Sequence, residues 1–359
     1  MTLSAMRTGH PYHMHDAIMA QPESIARVLA DEGENVSAVA ELVRNSSRVH
    51  VVGIGTSWHA ALIGEHLLRT VGNREDARAW NSFEFYNRPP SLSDDDAVIV
   101  LSHRGTKTYS LRSLEYAHEA GAKTALLTGI GSDARRELAN AVVETSFHDP
   151  SSAFTVSHTA AITALTMLAI ELSSQHTAET LAGLPDLVRE AISSESVVRE
   201  WAAKSVDVQR FYFVGTGANA STAYEAALKM KEANYTTTEG LHLEQYLHGP
   251  FVSTDEGCLV TFIAPPEDGP EDRTVDIMGA ASEVGARTAG ILQAGDGVRA
   301  ELVDTVISVP ECDEIFSPIV YLVPLQLLTY WLALELGHNP DTFRLDDPKH
   351  LAAREHYTL

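Results

Sequence analysis

Cysteine is scarce in this sequence, and long apolar runs are missing from it. Only two of the 359 residues are cysteines, Cys258 and Cys312, which excludes a disulfide-built scaffold and a C-x-x-C zinc or redox motif. No run of about 18 residues is free of polar interruptions, so we expect no membrane as a partner. The N-terminal residues lack the apolar core of a secretory signal, and we therefore expect a cytoplasmic protein.

Basic residues are also few, and most of them are arginines. The chain carries 26 Lys and Arg against 49 Asp and Glu, a formal net charge of −23. A chain this acidic has no general attraction for phosphate backbones, which excludes nucleic acid as an expected partner. Lysine occurs only six times, so the lysines at 107 and 229 deserve a functional explanation.

A strand, a glycine turn and a helix follow one another twice in the chain. The β-branched run 49–52 leads into a turn with Gly53 and Gly55, and 160 residues after Gly55 comes Gly215, which follows the apolar run 211–214. Three further pairs of segments keep nearly the same offset: 96–102 with 258–265, 121–129 with 285–293, and 151–173 with 317–337. This regularity indicates an internal duplication.

Within each repeat, short apolar runs alternate with segments of helical period, a pattern typical of buried parallel strands. The sequence predicts two tandem doubly wound parallel-sheet α/β domains of about five strands each. We place them at 1–180, with a helical N-terminal segment, and at 200–359, with a C-terminal tail. A helical linker is expected over about 176–206, and ligands are expected at the strand C-termini.

Two turns of the first repeat have the composition of anion sites. Gly55, Thr56 and Ser57 offer open amides and hydroxyls at a predicted helix N-terminus, which favours negative charge. The alternative is a tight turn in which Ser57 caps the helix. The second turn is the loop 101–110, which combines serine and threonine hydroxyls with two cations.

Arg104 and Lys107 lie among the hydroxyls of Ser102, Thr106 and Thr108 in this second loop. Two cations beside hydroxyls at a helix N-terminus make a suitable oxyanion pocket. The alternative is a capped helix with solvated basic residues. A third segment, 151–159, opens a long apolar helix, and plain capping by Thr155 to Thr159 explains it unless this turn meets the other two.

The second repeat carries the residues suited to proton transfer. Lys229 and Glu232 lie three residues apart on one helix face. Glu232 is a candidate base for a proton on carbon, and His248 is a candidate acid or base. The alternatives are a surface ion pair and a metal site formed by His242, Glu244 and His248, whose spacing is not that of H-E-x-x-H.

These motifs together resemble a pair of SIS (sugar isomerase) domains, a flavodoxin-like family that includes the isomerase half of glucosamine-6-phosphate synthase and stand-alone isomerases and deaminases. The most specific matches are E-A-A-L-K-M-K-E at 225–232, E-x-x-x-H-G-P at 244–250 and the segment 319–330. The similarity covers nearly the whole chain. The amidotransferase part is missing from the sequence, so we expect that the chain is not a complete synthase.

The resemblance implies roles for individual residues. Glu232 matches the carboxylate that moves the proton between C1 and C2, Lys229 a lysine beside it, and His248 the ring-opening histidine that crosses a dimer interface. The implied substrate contacts are Gly55, Thr56, Ser57, Ser102, His103, Arg104, Lys107, Thr108, Ser157 and Arg354.

The chain departs from the family pattern in two places. Where the family loop reads S-x-S-G-x-T, Arg104 replaces the second serine and Lys107 the threonine. At the tail position of the family's Schiff-base lysine stands Ala353, with Arg354 beside it and Lys349 as the nearest lysine. The anion site is therefore expected to be more cationic than usual, and the Schiff-base route is not expected.

The resemblance implies an aldose–ketose isomerase acting on a small anionic sugar, either a 6-phosphosugar or a 6-sulfosugar such as sulfoquinovose. No metal or organic cofactor is required for this reaction. An amino-sugar deaminase or deglycase and a non-catalytic sugar-phosphate sensor stay open as alternatives. A homodimer or dimer of dimers is expected from His248 and from apolar surface that we expect the 317–337 helix to expose.

Overall fold

The computed structural model describes residues 6–266 and 272–357, whose contacts divide the chain into two compact units. We call them after their sheets. Over the described residues, the first-sheet unit comprises 20–149, 154–185 and 344–357, and the second-sheet unit comprises 6–19, 150–153, 186–266 and 272–343. Grouping by contacts need not coincide with the division into domains, so the boundaries 1–180 and 200–359 stay a prediction.

Each unit is built on one sheet of five parallel strands. The strands are β1 Arg48–Gly53, β2 Arg78–Asn81, β3 Asp96–Ser102, β4 Lys123–Thr128, β5 Ala141–Glu144, β6 Arg210–Gly215, β7 Thr238–His242, β8 Cys258–Ala264, β9 Arg287–Gln293 and β10 Thr305–Val309. Their orders are β2-β1-β3-β4-β5 and β10-β9-β8-β6-β7. Counted within its own sheet, each reads 2-1-3-4-5, which confirms the doubly wound α/β prediction and supports the duplication.

Helices connect these strands and continue to the tail. They are α1 His13–Met19, α2 Gln21–Asp31, α3 Gly33–Arg44, α4 Thr56–Thr70, α5 Ser82–Asn87, α6 Thr108–Glu119, α7 Val156–Leu172, α8 Leu184–Ile192, α9 Glu195–Ala203, α10 Gly217–Ala233, α11 Leu243–Leu247, α12 Arg273–Glu283, α13 Gly297–Ala300, α14 Ser317–Val320, α15 Leu322–Glu335 and α16 Pro348–Ala353. Helices α8 and α9 occupy the predicted helical linker.

In the first-sheet unit, the helices that follow the neighbouring strands β1 and β3 pack against different partners. Helix α4, which follows β1, packs on α7, whereas α6, which follows β3, packs on α5. The strands β1 and β3 are neighbours in the sheet, so the strand order reverses between their C-terminal ends. In open α/β sheets this reversal leaves a crevice that binds ligands, and both predicted anion turns start there.

In the second-sheet unit, α10 packs along β6 and β7 and against α15. Every residue of α15 from Leu322 to Ala333 is buried. The prediction that the 317–337 helix exposes apolar surface was therefore wrong, because these side chains pack in the core of the unit. The stretch Glu314–Glu335 is long and apolar enough to cross a membrane, but its apolar part is wholly buried. A core helix has the same composition, so this stretch is weak evidence for a span.

Candidate functional site

The first predicted anion turn is a tight connection from β1 to α4. A Cβ atom at Gly53 would lie 2.1 Å from the carbonyl oxygen of Ser57, so the strand can turn this closely into the helix only with glycine. Gly55 occupies the N-cap position with φ of 59°. Thr56 and Ser57 therefore lie in the first turn of α4 and are partly exposed there, and Ser57 does not cap the helix.

The second anion loop runs from the end of β3 at Ser102 to the start of α6 at Thr108. Gly105 has φ of +67°, and a Cβ atom there would lie 2.3 Å from the backbone nitrogen of Ala134. Lys107 stands at the N-cap position without a side-chain capping bond. Lys107 and Thr108 are partly exposed, so both remain within reach of a ligand at this helix N-terminus.

The His103 imidazole packs within this loop as a neutral ring and adds no positive charge to it. A Cβ atom at Gly129 would lie 2.7 Å from its Cε1, so the ring fits only because position 129 is glycine. Its Nε2 accepts a hydrogen bond from the backbone N–H of Asp149 at 3.4 Å. Burial, with the nearby His148 and Arg104, lowers the pKa of His103 to about 4, so the ring is neutral at neutral pH.

Arg104 does not point freely into solvent. Its guanidinium carbon lies 4.7 Å from the centre of the Phe154 ring, a cation–π contact. Burial lowers the pKa of Arg104, and the charge of Asp149 acts in the opposite direction. The cation predicted from the loop sequence is therefore held beside the start of α7.

Three hydroxyls of the first-sheet unit are buried at these helix starts and strand ends. Ser102 is 3% exposed and Ser157 is 4% exposed. Thr155, at the N-cap position of α7, makes no side-chain capping bond, contrary to the capping interpretation. Among the residues that the structure describes, Ser102 Oγ and Thr155 Oγ1 have no hydrogen-bond partner.

The second-sheet unit holds a buried row of charges on α10. The Lys229 ammonium is 1% exposed and pairs with Glu232 and, at 3.3 Å, with Glu225. Burial alone would lower the pKa of Lys229, but the two carboxylates outweigh it and raise the pKa. Glu232 is 15% exposed, so its carboxylate stands at the open end of the row. Glu225 was not singled out from the sequence, although its spacing of four from Lys229 is a signal for it.

Glu232 and His248 are not brought together within one chain. Helix α10 starts beside the C-terminal end of β6, and its 17 residues span about 25 Å. Glu232, in the last turn of α10, therefore lies toward the N-terminal ends of the strands. His248 follows α11 and lies near the C-terminal end of β7. The imidazole is 71% exposed, and its Nε2 lies 3.3 Å from Glu244.

The remaining candidates lie in exposed or otherwise occupied positions. Arg354 begins the short turn after α16 and is partly exposed, and Lys349 is exposed. His242 Nδ1 accepts the backbone N–H of Glu244, and the Glu244 carboxylate pairs with Arg273 at 3.1 Å. Over residues 6–266 and 272–357, no group of three His, Cys, Asp or Glu side chains is arranged to hold a metal ion.

Comparison with known proteins gives concordant matches. The SIS domain model matches residues 42–171 and 206–336. The glutamine–fructose-6-phosphate aminotransferase (isomerizing) of Thermococcus kodakarensis is 32% identical over 94% of this chain, which spans 57% of that relative's length.

Two solved structures share the fold. The C-terminal domain of the glucosamine-fructose-6-phosphate aminotransferase from Francisella tularensis superposes with a TM-score of 0.83 at 20% identity, covering 94% of this chain and 99% of the other. The tagatose-6-phosphate ketose/aldose isomerase from Escherichia coli gives a TM-score of 0.77 at 17% identity, covering 95% and 98%.

The low pKa of His103 predicts a pH dependence of stability. The pKa of about 4 in the folded state lies below the ordinary histidine value of 6.5, so between these values the unfolded chain binds more protons. The contribution of His103 is thus fully present above pH 6.5 and is lost as the pH falls toward 4, by up to about 3 kcal/mol. Measured from pH 7 down to pH 4, the unfolding midpoint of wild type should fall more steeply than that of His103→Gln.

The matched control is His356→Gln, which changes an exposed histidine of the tail. It should leave the wild-type pH profile as it is. A wild-type profile retained in His103→Gln would contradict the assignment of the shift to this ring.

Proposed function

Because the chain belongs to the SIS domain family, we propose that it is an aldose–ketose isomerase whose substrate is a sugar with a terminal anion. The family model covers more than two thirds of the chain, which confirms the resemblance noted in the sequence. The names of the Thermococcus relative and of the Escherichia coli neighbour both describe isomerisation of sugar phosphates, which supports this class of reaction.

The observation that carries the proposal is the Glu225–Lys229–Glu232 row. Isomerisation needs a base that takes a proton from the carbon next to a carbonyl. The ion pair with a buried ammonium fixes the Glu232 carboxylate, and its 15% exposure leaves it accessible. Glu225, at 3.3 Å from Lys229, holds that ammonium from the other side and thereby acts as a positioning residue.

In the proposed reaction, His248 assists opening of the sugar ring. Glu232 then takes the proton from C2, the C2–H electron pair forms the C1=C2 double bond, and the C1 carbonyl oxygen takes up a proton to give the enediol. Glu232 returns its proton to C1 while the C2 hydroxyl loses its proton and becomes the carbonyl, which replaces the proton taken up at C1 oxygen. The developing oxyanion needs a donor, which is either Lys229 or a turn amide. As the anion-binding segment of the first-sheet unit we propose the loop from Ser102 to Thr108, with further hydroxyls from Thr56, Ser57 and Ser157.

The experiment that tests the proposal is proton NMR in D2O on a panel of glucose 6-phosphate, glucosamine 6-phosphate and sulfoquinovose. Isomerisation through an enediol incorporates deuterium at C2 or C1. Release of ammonia from glucosamine 6-phosphate would instead identify a deaminase. Binding without turnover of any of the three would identify a sensor and overturn the isomerase.

Glu232→Gln should lower the rate of deuterium incorporation by about 10²–10⁴-fold, because a positioned general base contributes that much. Binding of the sugar should change far less. The matched control is Glu239→Gln, which alters an exposed glutamate in β7 and should keep the wild-type rate. A Glu232→Gln enzyme of wild-type kcat would refute the role of Glu232.

We also propose that the active protein is a homodimer or a dimer of dimers. Glu232 and His248 lie toward opposite ends of the strands of their sheet, and the His248 side chain is 71% exposed. If both act on one sugar, they come from different chains. A shared site of this kind makes the oligomer necessary for activity.

Mixing two inactive variants tests this arrangement. Glu232→Gln and His248→Ala, unfolded together and refolded at equal amounts, form mixed dimers in which one site has both residues intact. Activity should recover to about a quarter of the wild-type value. Refolding each variant alone is the control. No recovery in the mixture, with dimers present by sedimentation, would show that one chain supplies both residues.

The Arg104 guanidinium favours a terminal sulfonate more than a serine would. A phosphate monoester carries a charge of about −1.5 to −2, whereas a sulfonate carries a single charge and depends more on a fixed cation. Arg104→Ser should therefore raise KM for sulfoquinovose more than KM for glucose 6-phosphate. Steady-state kinetics of both enzymes on both sugars tests this prediction. If the ratio of the two KM values is the same in Arg104→Ser as in wild type, Arg104 gives no reason to consider sulfosugars.

A further inference from the structure

We infer that the second-sheet unit carries a ligand site of its own, at the C-terminal ends of β6 and β8, in which the Asn219 amide and the Tyr321 hydroxyl bind an uncharged sugar or polyol. Neither residue has a part in the proposed reaction, so this inference goes beyond the proposed function. It rests on the internal duplication and on two buried polar atoms that the described part of the chain leaves without hydrogen-bond partners.

The second sheet repeats the crevice of the first. The strands β6 and β8 are neighbours, and the strand order reverses between them as it does between β1 and β3. Such a reversal leaves a crevice outside the strand C-termini. The turn after the strand is repeated as well: a Cβ atom at Gly215 would lie 2.4 Å from the Asn219 carbonyl oxygen, as one at Gly53 would lie 2.1 Å from that of Ser57. Asn219 therefore holds the position of Ser57 in the second repeat.

The Asn219 side chain is buried with half of its amide unpaired. The residue is 2% exposed and lies in the first turn of α10. Its Nδ2 donates to the Ser317 hydroxyl at 2.7 Å, whereas its Oδ1 accepts no hydrogen bond from any residue that the structure describes. A buried acceptor without a donor costs free energy, so a ligand that supplies the donor is favoured here.

The Tyr321 hydroxyl is the second unpaired group. Segments 157–173 and 321–337 keep an offset of 164 and end on A-I-E-L-S and A-L-E-L-G, so Tyr321 holds the position of Ser157. Tyr321 is 0% exposed, and its hydroxyl finds no hydrogen-bond partner over residues 6–266 and 272–357. Phenylalanine would fill nearly the same volume without burying an unpaired hydroxyl, so packing alone does not explain tyrosine here.

Ser317 links the two unpaired groups. Ser317 and Tyr321 lie one helical turn apart, since the Tyr321 N–H donates to the Ser317 carbonyl at 3.0 Å. A helical side chain leans toward the residue four positions before it. The Tyr321 side chain therefore leans toward Ser317, whose hydroxyl holds the Asn219 amide. One small ligand can thus meet both groups.

The charges at this end of the sheet do not favour an anion. The strand β8 ends at Ala264, which offers no hydroxyl. The buried Arg299 guanidinium donates to the Ala264 carbonyl at 3.3 Å, but it is outnumbered by the carboxylates of Asp272 at 2.9 Å and Asp296 at 3.4 Å. Burial raises the pKa of Tyr321, and Arg299 and Asp296 are close enough to act on it in opposite directions. A phosphate or sulfonate would meet more negative than positive charge here.

A hydroxyl group on the ligand fits both unpaired partners. It donates its hydrogen to the Asn219 Oδ1, and its oxygen accepts the Tyr321 O–H, because one hydroxyl is both donor and acceptor. Several hydroxyls on one molecule would also reach Ser317. The ligand class is therefore an uncharged polyhydroxylated molecule.

The probe for this site is glucose, titrated into the full chain and followed by saturation-transfer NMR. Wild type should bind glucose, and Tyr321→Phe should weaken the binding about 2- to 10-fold, since it removes one hydrogen bond between neutral groups. The thermal midpoint of ligand-free Tyr321→Phe should be unchanged or higher, because within the described residues no hydrogen bond of this hydroxyl is lost.

The matched control is Tyr330→Phe, which changes a second fully buried tyrosine nine residues further on. The Tyr330 hydroxyl lies 2.7 Å from His10 Nδ1 and accepts the Tyr12 N–H at 3.2 Å. Its removal should lower the thermal midpoint and leave glucose affinity as it is. A Tyr321→Phe variant that behaves like Tyr330→Phe would overturn the inference.

A variant of the first-sheet unit shows which crevice the sugar occupies. Ser57→Ala should keep the glucose affinity of wild type. Loss of glucose binding in Ser57→Ala, with wild-type binding in Tyr321→Phe, would place the sugar in the first-sheet unit and overturn the inference. So would a wild-type protein that binds neither glucose nor fructose. Because these measurements need no turnover, failure of the deuterium assay would remove the isomerase and leave this inference standing.

Discussion

The reversal of strand order at the centre of each sheet is the constraint on which the rest of the protein depends. In the first-sheet unit, β1 and β3 lie side by side and send their helices α4 and α6 to different packing partners. The turns after these strands therefore end at one crevice, although Gly53 and Ser102 are far apart in sequence. Glycine at position 53, where a Cβ atom would meet the Ser57 carbonyl at 2.1 Å, makes so close a turn possible.

Burial of charge shows where this chain gives up stability for chemistry. The Lys229 ammonium, 1% exposed, needs two carboxylates to stay charged, and a well-packed apolar group in its place would cost less. Arg104 is compensated by an aromatic ring face and one carboxylate. In both places a group suited to chemistry stands beside the compensated charge, the Glu232 carboxylate in one and the Ser102 hydroxyl in the other.

The fold could be predicted from the sequence because its signals are local and repeated. Apolar runs, glycine turns and a nearly constant offset determine both sheets, and the E-A-A-L-K-M-K-E motif puts Lys229 and Glu232 on one face. Other properties depend on contacts distant in sequence. The neutrality of His103 depends on burial behind Gly129, and the unpaired state of Thr155 depends on a capping bond that the helix start does not form. Burial of the 317–337 helix likewise follows from its packing, not its composition.

One of the two features from which the sequence predicts an oligomer does not hold in the structure. The apolar helix that was expected to form an interface is buried inside the second-sheet unit, since Leu322 to Ala333 are all buried. What remains is the exposed His248 on a short loop and the separation of that imidazole from Glu232 by the length of the sheet. In an oligomer of this kind, the role of the interface would be to bring His248 of one chain to Glu232 of the other. Its activity would then depend more on the position of His248 than on the apolar area that the interface buries.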